Sequence, residues 1–276
     1  MMKPLIHPVS KTTLDLLVQD LPQSLLITGP VGVGLGTIAS YIASSIGDTA
    51  LMVLPEKDEK VDLDKGVISV DSIRRLYAQT KSIQTGKLVI VIDYAERMGH
   101  QAQNAFLKLL EEPRTGIHFI LATHTPLSLL PTVRSRVQLL DLKPLTRSQT
   151  DAFIDKLPLI DDTKRSQLLF MADGLPAELH RLAHDETYFN DQIAIVRDAR
   201  DLLQASTYHK LVIAQKYRDN REGALRLLND AMAILKKSIS DHPTSELISQ
   251  IEGLLMAYQK IKSNGNIRLC LARLVI

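Results

Sequence analysis

The chain has 276 residues, 45% of them apolar and 23% charged, with a formal net charge of +2. That length allows two or three domains with a sizeable core, and the near-neutral charge neither demands nor excludes nucleic acid, though the whole chain is not a polybasic binder. The single cysteine, Cys270, excludes an internal disulfide framework and a multi-cysteine zinc site.

The N-terminal MMKPLIHPVSKTTLDLL lacks the long apolar run of a signal peptide. No run approaches the roughly 20 apolar residues that span a bilayer. A cytoplasmic protein without a membrane segment is expected. SLLITGP reads as a buried strand running into a glycine-rich turn, and Thr37–Gly47 as a small-residue helix closed by Gly47. TALMVLP is a second short apolar run, and Glu56–Gly66 is charged enough to be a surface loop. VDSIRRLYAQTKS sets Ile73, Leu76 and Tyr77 on one helical face. Leu88–Ile92 is continuously apolar, as a central parallel strand covered on both faces should be, and it ends in Asp93. HQAQNAFLKLLEE carries a helical stripe through Ala102, Ala105, Phe106, Leu109 and Leu110, stopped by Pro113; GIHFILATH is another buried strand. This alternation predicts an α/β module, a parallel sheet with flanking helices.

After about Leu142 the strand signals fade. TRSQTDAFIDKL, DDTKRSQLLFMADG and PAELHRLAHD read as helices, the second closed by Gly174. From Tyr188 the pattern is entirely helical. One stripe uses Ile195, Ala199 and Leu202, and a second Ala224, Leu225, Leu228, Met232, Leu235 and Ile239. A third uses Leu247, Ile248, Ile251, Leu254, Leu255, Tyr258 and Ile261; NREG and SDHPTSE read as turns between helices. The expected division is 1–143 for the α/β module, 144–187 for a small helical lid and 188–276 for an all-α C-terminal domain.

The turn after the first strand, GPVGVGLGT, nearly matches the phosphate-binding pattern G-x-x-x-x-G-K-[ST]. Gly29 and Gly34 have the spacing, but Leu35 stands where lysine is required and Gly36 where a hydroxyl is required. No Lys or Arg occurs between Lys11 and Lys57, so no change of register supplies the charge. Thr37 is one residue late and faces away on a helix. Losing a charge opposite a polyphosphate in a partly desolvated site costs several kcal/mol. The glycines then either attract an anion weakly through backbone N–H groups or serve only as a tight strand-to-helix turn; the second reading is the expected one. Asp93 has the position at which phosphoryl-transfer enzymes hold Mg²⁺, and it is equally a polar strand end or cap. Tyr94 follows where a catalytic base would stand, and a phenol of pKa near 10 is no base at neutral pH. Glu96 is expected to point elsewhere.

Three stretches occur together in a fixed order: Asp-x-Ala-x-x-Met from Asp93 to Met98, NAFLKLLEEP from Asn104 to Pro113, and LLPTVRSRV from Leu129 to Val137. They resemble the AAA+ module of bacterial DNA polymerase III clamp-loader subunits, densely over Gly86–Thr146 and more weakly over the whole chain. The last stretch resembles that family's Ser-Arg-Cys motif, with Ser135 and Arg136 kept and Val137 in place of Cys. NGNIRLCLARLVI resembles the family's last collar helix. Without the Lys-Thr loop and the four-cysteine zinc module of the motor subunits, the sequence is most similar to the stator-like delta-prime branch.

That resemblance implies a non-catalytic subunit of a hetero-pentameric ring with motor and clamp-opening subunits, within the polymerase III holoenzyme. The ring would load a sliding clamp onto primed DNA. No cofactor of its own is expected; ATP and Mg²⁺ would be held by partner subunits. Arg136 would act as an arginine finger in a neighbour's ATP site, with Ser135 supporting the turn; a local salt bridge is the alternative. The family's lid arginine, in a Gly-x-x-Arg pattern, corresponds to Ala177, with Arg181 a turn beyond. His124 and Thr125 stand where the family keeps a polar sensor and are expected to be structural. Arg97 and His100 either face DNA phosphates or are simply solvated. Two other readings stay open: an active but divergent AAA+ ATPase, and a stand-alone DNA-binding protein.

Overall fold

The computed structural model describes residues 4–46, 49–63, 65–82, 86–112, 114–158, 161–241 and 244–274. They pack as two compact units, Met1–His180 and Arg181–Ile276.

The first unit opens with α1 (Pro8–Gln19), which the sequence reading did not name. Pro8 lies in its first turn, where a missing N–H costs nothing, and the His7 side chain accepts the Val9 N–H at 3.2 Å. There follow β1 (Ser24–Thr28), α2 (Leu35–Ile46), β2 (Thr49–Val53), β3 (Glu56–Lys57), β4 (Lys60–Val61), α3 (Val70–Ser82) and β5 (Leu88–Ile92). A single 3-10 turn, Ala95–Arg97, leads into α4 (His100–Glu111), then β6 (Ile117–Thr123), α5 (Pro131–Arg134) and β7 (Gln138–Asp141). The helices α6 (Arg147–Ile154) and α7 (Asp162–Ala172) come next, and α8 (Pro176–His184) begins in this unit and ends in the second.

The main sheet has the order β2-β5-β6-β1-β7, and every pairing in it is parallel. Its two faces build two cores. Leu88, Ile90 and Ile92 of β5 enter one with Leu26, Phe119 and Leu121, against α3 and α4. Val89 and Val91 enter the other with Leu25, Ile27, Ile120 and Leu140, against α1 and α2. Period-two alternation within a fully apolar run is the signature of a strand covered on both faces. Phe106 of α4 meets Phe119 of β6 edge to face, with centroids 5.3 Å apart.

The structure departs from expectation at several elements. Glu56–Gly66 is not simply a loop: β3 and β4 pair antiparallel, and the turn between them puts Asp58 and Glu59 at φ 51° and 61°. Two-residue strands, in which three of the four side chains are charged, give no periodic signal. β7 also went unread, because on this edge strand only Leu140 is buried while Leu139 is 55% exposed. The helix expected from Thr37 begins at Leu35. Tyr77 does not share the buried face of Ile73 and Leu76 and is 44% exposed. The expected stops at Gly47 and Pro113 lie outside the described residues.

The second unit holds α9 (Glu186–Gln204), α10 (Thr207–Lys216), α11 (Arg221–Asp241), α12 (Ser245–Lys262) and α13 (Ile267–Ala272). Its core joins Ala199, Leu202, Ala224, Leu228, Leu235, Leu254 and Ile261. The buried face of α12 runs through Leu254, Ala257 and Ile261, leaving Ile248 and Leu255 of the expected stripe exposed. NREG is not a turn: Arg221 already begins α11, and Asn220 Oδ1 accepts the Gly223 N–H at 2.8 Å. The turn expected in SDHPTSE falls largely outside the described residues. No helix among the described residues is long and apolar enough to cross a membrane.

Candidate functional site

In a parallel sheet the chain leaves each strand at the same edge, so loops after adjacent strands converge there. β1, β6 and β5 are neighbours, which gathers Gly29, His124 and Asp93 at one edge. His124 Nδ1–H donates to the Gly29 carbonyl at 2.9 Å, tying the loop after β6 to the loop after β1.

Gly29 and Gly34 frame the loop, and Gly32 and Gly34 both hold φ +89°, a region that favours glycine. A Cβ on Gly29 would lie 2.7 Å from the Leu142 carbonyl oxygen, so the turn packs directly against the chain leaving β7. Leu35 is only 3% exposed and sits in the core with Val33, Ile38 and Ile42. The side chain at the lysine position is therefore apolar and points into the core beneath the loop. A Cβ on Gly36 would come 2.6 Å from Asp93 Oδ2, so Asp93 must shift before any side chain, hydroxyl-bearing or not, can stand there. Thr37 is exposed, as expected.

Asp93 directly follows β5, with its backbone N–H on the Val53 carbonyl and its Oδ1 accepting the Tyr94 N–H at 2.9 Å. Tyr94 adopts φ 54° to start the 3-10 turn. Burial pushes the Asp93 carboxyl above its usual range; the Tyr94 N–H opposes this, the Glu96 charge adds to it and His124 opposes it. The Glu96 charge acts on Asp93, and its own Oε2 is buried without a hydrogen-bond partner among the described residues. Among the described residues, no group of three or more His, Cys, Asp or Glu is arranged to hold a metal ion.

The lid closes onto the same loop. The Gly32 carbonyl accepts the N–H of Ala177 at 2.9 Å and of Glu178 at 3.4 Å, two groups of the first turn of α8. A Cβ on Gly32 would lie 3.3 Å from that of Glu178 and 3.4 Å from that of Leu175. Leu145 N–H donates to the Gly174 carbonyl at 2.6 Å, fixing the approach to α8. Arg181, one turn beyond Ala177, stacks on the Tyr188 ring with its guanidinium carbon 3.7 Å from the centroid.

Ser135 and Arg136 lie apart from this cluster in the chain, just after the four-residue α5, and both are exposed. Ser135 Oγ donates to the Thr132 carbonyl at 3.1 Å. Arg136 Nη1 donates to the same carbonyl at 3.1 Å and to Ser135 Oγ at 3.4 Å, while Nη2 pairs with Glu111 Oε1 at 2.9 Å. The local salt bridge weighed from sequence is present, and its acid is Glu111.

A family model described as DNA polymerase III, delta subunit matches residues 49–146. The chain is 32% identical over 154 residues to DNA polymerase III subunit delta' of Pseudomonas aeruginosa, over 54% of this chain and 44% of that protein. It is 24% identical over 235 residues to DNA polymerase III subunit delta' of Bacillus subtilis, over 75% of this chain and 70% of that protein. The chain is thus similar to the delta-prime subunits of the DNA polymerase III clamp loader. A DNA polymerase III gamma subunit-related protein from Thermotoga maritima superposes with a TM-score of 0.58 at 18% identity, covering 96% of this chain and 97% of that one, and shows a shared fold. The alignment with the Pseudomonas protein spans less than half of that protein's length.

The family match holds Asp93, Tyr94, Ser135 and Arg136 of this chain, whereas the glycine loop lies before it and Ala177 beyond it. Three relationships escaped the sequence reading: the lid helix on the Gly32 carbonyl, Asp93 against Gly36, and Glu111 on Arg136. The first joins residues about 145 positions apart through backbone groups, which no side-chain pattern records. The last had a signal, since paired glutamates close α4 at the end where a helix favours cations.

Proposed function

We propose that this chain is a non-catalytic, delta-prime-like subunit of a DNA polymerase III clamp-loader complex. It would assist ATP-dependent loading of a sliding clamp onto primed DNA and lend Arg136 to the ATP site of a neighbouring subunit. The observation that carries the reading is Leu35, buried in the core at the position where a phosphate-binding loop needs an outward lysine. Gly36 adds no hydroxyl, Tyr94 adds no base, and Arg181 is engaged on Tyr188, so the residues present do not fit ATP·Mg²⁺. Arg136, in contrast, is exposed just after a four-residue helix and has a charge that a neighbour's phosphates would attract.

In this reading residues 1–143 form the degenerate AAA+ module, 144–187 the lid and 188–276 a collar that joins a hetero-pentameric ring. Motor and clamp-opening subunits complete the ring, and the motor subunits hold ATP and Mg²⁺. Clamp and DNA are reached through the complex, in the cytoplasm. The test is assembly with the clamp-loader subunits of the same organism, followed by ATPase measurement with and without this chain. Co-assembly with a DNA- and clamp-stimulated rate that depends on this chain is expected. Failure to assemble, or an unchanged rate, would remove the assignment.

A further inference from the structure

Glu111 is the last residue of α4, and Glu112 follows it. Exposed carbonyls make a helix C-terminus electronegative, so two acidic residues there oppose the local field. Stability does not explain Glu111 either. Its pair with Arg136 is open to solvent, with side chains 50% and 39% exposed, and such pairs contribute little to folding. What Glu111 does is hold one terminal nitrogen, Nη2, of a long, rotamer-rich side chain. The other terminal nitrogen, Nη1, is held by the Thr132 carbonyl and Ser135 Oγ. A guanidinium has five N–H donors in a rigid plane. These contacts use three, leaving the one on Nε and one on Nη2 for an incoming group. An arginine held in this way loses little further freedom when it meets a phosphate.

We propose that Glu111 is the positioning residue of Arg136, orienting its guanidinium for the neighbouring subunit's nucleotide. This rests on the arginine-finger reading of Arg136. The test compares Glu111→Ala, Glu111→Gln, Arg136→Ala and the double variant in the reconstituted complex. It reads the DNA-stimulated kcat, the KM for ATP and the thermal midpoint of each purified chain.

Glu111→Ala is expected to lower kcat about tenfold, within the 10²-fold that a 1 Å misplacement can cost, with KM and thermal midpoint unchanged. Glu111→Gln should recover much of the loss, since its amide oxygen still accepts from Nη2. In the Arg136→Ala background, Glu111→Ala should have no further effect. A wild-type or raised kcat in Glu111→Ala, or the same fold-loss in both backgrounds, overturns the positioning role while leaving the finger intact. An unchanged kcat in Arg136→Ala overturns the finger itself, and this role with it.

Discussion

The Gly32 carbonyl accepts the Ala177 N–H at 2.9 Å, so the loop that would cradle phosphates instead caps the lid helix. In a working phosphate loop it is N–H groups that face the ligand. Here a carbonyl accepts two of the N–H groups of the first turn of α8, supplying what a side-chain cap normally supplies. The glycines are therefore put to use without a nucleotide: φ +89° at Gly32 aims its carbonyl, and the missing Cβ lets Leu175 and Glu178 approach.

Gly32→Ala forces a side chain into a left-handed conformation and against the lid. A loss of about 1–2 kcal/mol is expected from the backbone alone. Chemical denaturation measures it, and amide hydrogen exchange should show faster exchange at Ala177 and Glu178. Unchanged protection there would mean that the loop does not hold the lid.

Leu35→Lys restores the letter of the phosphate-binding pattern without restoring the site. The leucine contributes roughly 1.5–3 kcal/mol through burial, most of which is lost when a lysine extends towards solvent. Gly36 and Tyr94 still lack the hydroxyl and the base. Calorimetric titration with ATP·Mg²⁺ should show no submillimolar binding in the wild type or in this variant.

Asp93 gives a pH test. Its folded-state pKa is raised, chiefly by burial, so the native state binds the proton more tightly than the unfolded chain. The stabilising contribution is full below the unfolded value near 3.9 and is lost as pH rises through the folded value. Asp93→Asn removes this term and can keep the acceptor for the Tyr94 N–H. The variant should match or exceed wild-type stability at pH 7, and the wild type should gain on it as pH falls. Turnover of the reconstituted complex should not change, because no metal is assigned to Asp93.

Tyr217 tests the second unit. Its hydroxyl donates to Asp198 Oδ2 at 2.7 Å, and Lys216 Nζ meets the same oxygen at 2.5 Å. Burial first, then the Asp198 hydrogen bond and the charges of Asp198 and Asp230, raise the phenol above its ordinary pKa. Its stabilising contribution is complete below pH 10 or so and is lost as pH rises above the unfolded value. Tyr217→Phe should cost about 1.5 kcal/mol at pH 8, and the difference from wild type should shrink above pH 10.

Much of this was legible in the chain itself. Leu88–Ile92, Phe106 and the stripes of α9 and α11 announced buried elements, because strand and helix periods appear directly in apolar spacing. The absence of lysine at Leu35 was equally plain. Where Leu35 points was not, since burial depends on the helices and strands packed around it. The β3–β4 hairpin and β7 were hidden because pairing geometry, rather than hydrophobic pattern, makes them strands. Arg136 stood out through its motif, whereas Glu111 emerged only once α4 and α5 were placed side by side.

The central claim is that this chain acts on ATP hydrolysis from outside its own loop. Its most direct test is the DNA- and clamp-stimulated ATPase rate of a reconstituted complex carrying Arg136→Ala, with assembly verified by co-elution. Arginine fingers contribute roughly 10³–10⁵ in rate at the site they serve. A complex that assembles normally but loses at least about tenfold of its stimulated rate is the predicted result; normal assembly with undiminished turnover would contradict it.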